Sequence, residues 1–239
     1  MKLTPIQTDL FVPRADLPDF IVRHLPHVAD NTVLAVASKL FALWKGEIVE
    51  DLSRKEELIK QQSDWALQTP LAWLTVKDDM VMTNAGIDES NADGKLLLLP
   101  QNCYSIAGEL RRALLKIWKI KNLGIVVTDS MILPFRAGVI AGAVAYAGFK
   151  GVQDLRGEED LFGRKLQVTL VNVADSLATA AAFCMGEGAE RQPLCIIESA
   201  GVEFVDEVPA KEIKYSVAND LYSPLFRAVG YMTKGEKND

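Results

Sequence analysis

Polar islands interrupt apolar stretches at three places in this 239-residue chain. The first, Asn84-Ala-Gly-Ile-Asp88-Glu-Ser90-Asn91, follows the extended run Val81-Met-Thr, with Gly86 permitting an unusual backbone angle. The second is Thr128-Asp129-Ser130, at the point where an apolar strand-like run stops. A carboxylate there is costly to desolvate unless it is paired or holds a metal. The third is Met185-Gly186-Glu187-Gly188-Ala189-Glu190-Arg191, whose glycines free backbone N–H groups to form an anion-binding concavity beside a carboxylate. Each alone also reads as ordinary structure: an Asx-rich turn, a cap on the next segment, a helix C-cap at Gly186. Pooled, they supply Asp88, Asn91, Asp129, Ser130 and Glu187, hard oxygen donors with no imidazole or thiolate among them. Such donors select Mg2+ or Mn2+, with phosphate oxygens completing the shell, and favour phosphoryl chemistry over zinc hydrolysis. Cations for an anionic substrate are Arg136 behind Pro134, Arg164 behind Gly163, and Lys39 after Ser38. An Arg can clamp a phosphate or carboxylate bidentately; the plain alternative for each is a solvated surface cation.

What the chain lacks narrows the chemistry further. It has no G-x-x-x-x-G-K-[ST], no G-x-G-x-x-G and no G-x-S-x-G. Its two histidines, His24 and His27, flank Pro26 and read as surface residues, so a Ser-His-Asp triad is not expected. Cys103, Cys184 and Cys195 are widely spaced in apolar runs and read as reduced core thiols. A net charge of −6 without a basic block argues against nucleic acid or a membrane surface as partner. The start carries Pro5, Asp9 and Arg14 where a signal peptide needs an apolar stretch, and no run approaches the roughly 20 apolar residues of a membrane span. A cytoplasmic location is therefore expected.

The elements that must position these residues form an α+β pattern without regular βαβ alternation. Residues 33–37 read as a buried strand, and 54–68 as a helix with Ser53 as N-cap and Glu56 at the capping-box position. Residues 71–76 and 79–83 read as strands around Lys77-Asp78-Asp79. A second helix covers 104–119, closed by Asn122, and is followed by a strand at 123–128. Residues 139–149 are small and apolar, either a closely packed strand or a helix. A strand over 166–173, a helix over 175–185 capped by Asp175, and a strand over 194–198 complete the pattern. The tail beyond Tyr231 is polar and expected to fray. One domain is expected over residues 1–239, with two lobes meeting near 78–102.

The motifs N-A-G-I-D-x-S-N at 84–91, T-D-S with F-R-x-G at 128–138, D-L-F-G-R at 160–164, V-A-D at 173–175 and M-G-E-G at 185–188 stand in an order and spacing that resembles the coenzyme F420-0:γ-glutamyl ligase family. That resemblance implies the family's own α+β fold of two interlocked lobes, an intertwined homodimer, and amide-bond formation coupled to GTP hydrolysis. It implies divalent metal, two Mg2+ or Mn2+ ions, with K+ as a further ion. By the same resemblance Asp88 and Asp129 hold the first metal, and Ser130 and Glu187 the second. Ser38, Lys39, Asn91 and the run Met185, Gly186, Gly188, Ala189 and Glu190 contact the nucleotide, as does a stretch near Leu10 to Pro13. Arg136 and Arg164 hold the small anionic acceptor or the incoming L-glutamate. In the implied mechanism the acceptor carboxylate becomes an acyl phosphate and glutamate displaces the phosphate. Two departures stand out. A lysine that the family uses for nucleotide is Leu43 here, leaving Lys39 or Lys45 to substitute. The form T-D-S…P-x-R-x-G resembles a bacterial subgroup tied to folate metabolism, so the acceptor is of folate or pterin type, or is coenzyme F420-0. The alternative is a dimer that binds nucleotide or metal on the same scaffold without turnover.

Overall fold

The computed structural model describes residues 1–209, 212–215 and 217–231. In chain order the elements are β1 (Lys2–Ile6), α1 (Leu17–His24), β2 (Thr32–Ala37), α2 (Ser38–Lys45), β3 (Ile48–Val49), α3 (Lys55–Gln62), β4 (Trp65–Gln68), β5 (Trp73–Lys77), β6 (Met80–Thr83), β7 (Leu96–Leu97), α4 (Cys103–Trp118), β8 (Leu123–Ile132), β9 (Val139–Ala147), β10 (Val152–Asp154), β11 (Leu170–Asn172), α5 (Val173–Met185), β12 (Leu194–Glu198) and α6 (Ser223–Ala228). Five of the strands form one sheet in the order β1-β12-β2-β8-β9, in which β2 and β8 run parallel and the other neighbours antiparallel.

The side-chain period of two explains why β2 is apolar throughout. Leu34 and Val36, with Ile125 and Val127 of β8, face Phe20, Ile21, Phe41, Leu110 and Leu114 from α1, α2 and α4. Val33, Ala35 and Val126 face the opposite way, under Leu177, Ala178 and Ala181 of α5. Helices thus cover both faces of the sheet, and the α+β class expected from the sequence holds. The ambiguous stretch 139–149 resolves as a strand, β9. Its small residues let α5 lie close, and a side chain at Gly142 would collide with the Met131 sulfur.

Other expectations need correction. The helix expected over 54–68 ends at Gln62. Ser53 does not cap it: the helix starts after Arg54 with no side-chain cap, and Asp51 caps the preceding 3-10 turn at Leu52–Arg54 by accepting the Ser53 N–H. Trp65–Gln68 form β4 instead, because Val76, Thr75, Leu74 and Trp73 of β5 offer a complete ladder. The β5–β6 hairpin turns on two residues, Asp78 and Asp79, both left-handed with φ of 52° and 61°, the geometry that matches strand twist. Only Leu170–Asn172 of the expected strand over 166–173 pairs, with β10. Residues before it fold back on the preceding loop, with the Leu166 N–H donating to the Glu158 carbonyl. Asn172, not Asp175, caps α5. Helix α4 stops at Trp118 with Lys119 left-handed (φ 55°), and Asn122 binds Asn31 instead of closing the helix. His24 is half-buried at the end of α1, its Nδ1 2.9 Å from the Phe20 carbonyl, whereas His27 is exposed as expected. The elements β1, α1 and α2 were not anticipated. The tail after Tyr231 lies outside the described residues. The cysteines are free thiols, and among the described residues no helix is long and apolar enough to cross a membrane.

Candidate active site

The three polar islands meet. A cavity of about 350 Å3 opens where β2 gives way to α2 and is lined by Ser38, Lys39, Asp88, Asn91, Asp129, Ser130 and residues 185–193. Met185, Gly186, Glu187, Gly188, Ala189 and Glu190 are all among them. Arg136 and Arg164 are not. Both are exposed, Arg136 at the tip of the β8–β9 hairpin and Arg164 in the loop bridged by Glu159 and Lys165.

Asp88 reaches the cavity through an unusual turn. Asn84, Ala85 and Gly86 are consecutively left-handed, with φ of 52°, 55° and 71°. Such angles cost a non-glycine residue energy. The turn is held by the Trp73 N–H donating to Asn84 Oδ1 and the Ala85 N–H donating to Thr75 Oγ1. It turns the chain so that Asp88 bridges Leu97 through both backbone groups.

Asp129 and Ser130 are not at a strand end as expected. β8 continues to Ile132, and the register against β9 slips between Val127 and Thr128. Bulges of this kind re-aim side chains, and here Asp129 and its neighbour Ser130 both face the cavity. The Ala143 N–H donates to Asp175 Oδ1 from α5 at 2.8 Å. Ser38 Oγ donates to Asp129 Oδ1 at 3.0 Å, and Ser130 Oγ donates to Glu187 Oε2 at 2.9 Å. Burial pushes the Asp129 carboxyl up to about 6, with Ser38 opposing the shift and the nearby Asp88 carboxylate adding to it. For Asp88, burial also acts upward but is outweighed by the hydrogen bond and charge of Lys39 and by the Ser90 N–H, so its net shift is downward.

The third island forms the opposite wall. Gly186 leaves α5 with φ 82°, and a Cβ there would stand 2.5 Å from the Glu190 carboxyl carbon. Glu190 Oε2 accepts the Gly188 N–H at 2.8 Å, so a carboxylate occupies the backbone concavity where an anion was expected. Asn91 Nδ2 ties the loop to the first island through the Gly188 carbonyl at 3.0 Å. The N-terminal stretch joins through the Thr8 N–H and the Arg191 carbonyl, bringing Thr8, Asp9, Leu10 and Phe11 into the lining. Of these only Leu10 and Phe11 fell within a stretch that sequence comparison pointed to. Arg191 closes the third island, whereas Thr8 and Asp9 have no motif around them: Thr8 is placed by that backbone bond and Asp9 by its N–H donating to His24 Nε2 at 3.2 Å.

The cavity holds carboxylates, hydroxyls and free backbone donors. The N-cap of α2 is Ala37, which provides no side-chain cap, and Ala37, Ser38, Lys39 and Leu40 line the cavity, so the positive end of the helix dipole lies at its wall. Lys39 lies in the cavity, its Nζ 2.8 Å from Asp88 Oδ2 and 2.9 Å from Ser90 Oγ. Lys45 does not. It stacks over Trp44 and pairs with Glu109. Among the described residues no three His, Cys, Asp or Glu side chains are close enough to enclose a metal unaided. The donor set nonetheless suits a hard cation whose shell is completed by serine, phosphate and water oxygens.

The family model described as F420-0:Gamma-glutamyl ligase matches residues 47–199. The chain belongs to that family. Its relatives include the protein named Coenzyme F420:L-glutamate ligase from Methanococcus maripaludis, 42% identical over 146 residues, 61% of this chain and 58% of the relative. The protein of that name from Methanopyrus kandleri is 37% identical over 151 residues, 62% of this chain and 60% of that one. The one from Methanosarcina barkeri is 31% identical over 218 residues, 83% of this chain and 85% of that one. The first of these matches therefore spans about three fifths of the relative's length. For the F420-0:gamma-glutamyl ligase family, two positions in this chain are telling. Leu43, where a lysine was expected, lines the cavity and makes that part of the wall apolar. Of the two lysines able to replace it, only Lys39 is in place.

Proposed function

We propose that the chain is a GTP-dependent, divalent-metal-assisted γ-glutamyl ligase that joins L-glutamate to the carboxylate of a small anionic acceptor. The observation that carries this reading is the convergence of Asp88, Asp129, Ser130, Glu187 and Lys39 on one cavity, walled by a glycine loop and the start of α2. The acceptor carboxylate attacks the γ-phosphorus, GDP leaves, and an acyl phosphate forms. The amine of glutamate then attacks the acyl carbon, phosphate leaves, and an amide remains. The chain's own work is positioning and charge neutralisation. The N–H groups of α2 and the ammonium of Lys39 receive phosphate oxygens, and residues 185–192 surround the nucleoside. Asp129, Ser130 and Glu187 hold Mg2+ or Mn2+, which supplies Lewis-acid neutralisation of the phosphates. The family resemblance alone adds K+ as a further ion. The acceptor is coenzyme F420-0, named in the description of the family, or a compound of folate or pterin type, which the T-D-S…P-x-R-x-G form favours.

A second copy of the chain completes the enzyme. Phe135, Leu161 and Phe162 are fully exposed, and Ile132, Leu133, Val139 and Ile140 are exposed beside Arg136. Apolar side chains in that density call for a covering surface. The interlocked lobes and intertwined homodimer follow from such pairing, which carries Arg136 and Arg164 to an acceptor.

Incubation with GTP, Mn2+, L-glutamate and each acceptor class, read by mass spectrometry, tests the reading. The expected result is a gain of one or more glutamyl units on one acceptor. Tight nucleotide binding with no product from either class would replace it with the non-catalytic nucleotide- and metal-binding dimer that Leu43 favours.

A further inference from the structure

We infer that Lys39 is the built-in cation of Asp88 and that the cavity consequently takes one divalent ion, held on the Asp129–Ser130–Glu187 side. The inference rests on the nucleotide-dependent ligase reading above and refines its electrostatics.

The two acidic sides of the cavity differ in what already satisfies them. At Asp88 both carboxylate oxygens are engaged: Oδ1 accepts the Ser90 N–H at 2.7 Å, and Oδ2 accepts Lys39 Nζ at 2.8 Å. The ammonium is gripped a second time by Ser90 Oγ at 2.9 Å. Asp129 and Glu187 have hydroxyl partners instead, Ser38 and Ser130, and among the described residues neither makes an ion pair. A divalent cation at Asp88 would need a carboxylate oxygen at about 2.0–2.6 Å, closer than the ammonium now stands. It would have to expel a cation that is tethered to the same wall and pays no translational entropy to return. No such competitor stands at Asp129 and Glu187.

The charge count agrees. Asp9, Asp88, Asp129, Glu187 and Glu190 line the cavity against Lys39 and Arg191, five acids to two bases. Binding a nucleoside triphosphate there requires added positive charge, and Lys39 already supplies it on the Asp88 side. Lys39 thus has two roles: it holds Asp88 and presents a fixed charge to the phosphates where a mobile ion would otherwise bind.

The test counts Mn2+ per chain by electron paramagnetic resonance, with a non-hydrolysable GTP analogue in excess. The wild-type chain is expected to bind one Mn2+, K39R one, and K39M two, since removing the ammonium frees Asp88 as a ligand. Two ions in the wild type, or one in K39M with native circular dichroism, overturns the inference while leaving the ligase reading intact. If K39M fails to fold, the wild-type count alone decides. No bound Mn2+ in any variant defeats the metal-assisted reading and the inference together.

Discussion

Asp129 is the side chain on which function and stability pull apart. Its carboxyl is raised from 3.8 to about 6 chiefly by burial, a shift corresponding to roughly 3 kcal/mol. Because the folded value lies above the unfolded one, the folded chain holds the proton more tightly between about pH 4 and 6. Stability is therefore lost as pH rises through that window, and the penalty persists at neutral pH. Asn carries no charge at any pH and keeps an oxygen for Ser38. Asp129→Asn is expected to melt higher than wild type at pH 7.5 without metal, with the gap narrowing toward pH 4. The same variant should lose on the order of 100-fold or more in glutamyl transfer, as removal of a positioned charge does. A variant that melts lower at neutral pH would mean the carboxylate is favourable there. At this scale the sequence was informative because the chemistry demands particular residue types. Asp88, Asp129 and Glu187 are conspicuous against apolar flanks, and all three line one cavity. Lys39 was legible as a cation for phosphate, but not as the partner of Asp88. Its ion pair with Asp88 depends on two segments 49 positions apart in sequence, for which no local pattern exists.

Elements with one strong period were legible, and those settled by distant partners were not. Residues 33–37 and α4 carry unmistakable patterns, buried on two faces and on one stripe respectively. Trp65–Gln68 continue a helical pattern and yet form a strand, because β5 and the aromatic rings of Phe226 and Tyr231 receive Trp65. β1 contains Pro5, which reads against a strand, but β1 is the sheet's edge, where a missing N–H is tolerated. The slip between β8 and β9 was likewise invisible, and it matters most because it sets the angle of Thr128, Asp129 and Ser130. α5 stabilises it: Asp175 accepts the Ala143 N–H at 2.8 Å, and Thr179 Oγ1 donates to the Ala141 carbonyl at 2.5 Å. Asp175→Ala leaves a part-buried N–H without that acceptor and is expected to cost about 2 kcal/mol, a Tm loss of roughly 4–8 °C. Asp175→Asn, which retains an oxygen toward Ala143 but turns an NH2 donor on the Asn172 amide that donates to Oδ2, should recover part of the loss. Equal melting of the two variants would show that the slipped register does not depend on this bond. Activity measured on Asp175→Ala below its melting range should fall as well, since Asp129 and Ser130 are aimed by the strand it anchors.

At the scale of the whole molecule, the exposed end of the β8–β9 hairpin and the loop carrying Arg164 decide whether one chain is enough. A stable dimer buries about 1,200–2,000 Å2, and fully exposed Phe135, Leu161 and Phe162 are the natural centre of such a surface. Phe135→Asp is expected to shift sedimentation from dimer to monomer while leaving the five-stranded sheet and its circular dichroism unchanged. An unshifted dimer would place the interface elsewhere. The sharper test concerns the arginines, which lie outside the cavity of their own chain. If pairing carries Arg136 into the neighbouring cavity, each site combines one chain's Asp129 with the other chain's Arg136. Arg136→Ala and Asp129→Asn homodimers would then both be inactive for different reasons. Mixed and allowed to exchange, they form heterodimers in which one site carries both defects and the other carries neither. Random pairing makes half the dimers mixed, with one intact site of two, so activity should return to at most about one quarter of wild type, as a two-fold symmetric assembly requires. Two chains that each use their own arginine would give no recovery at any mixing ratio, because every site would still contain one of the two lesions.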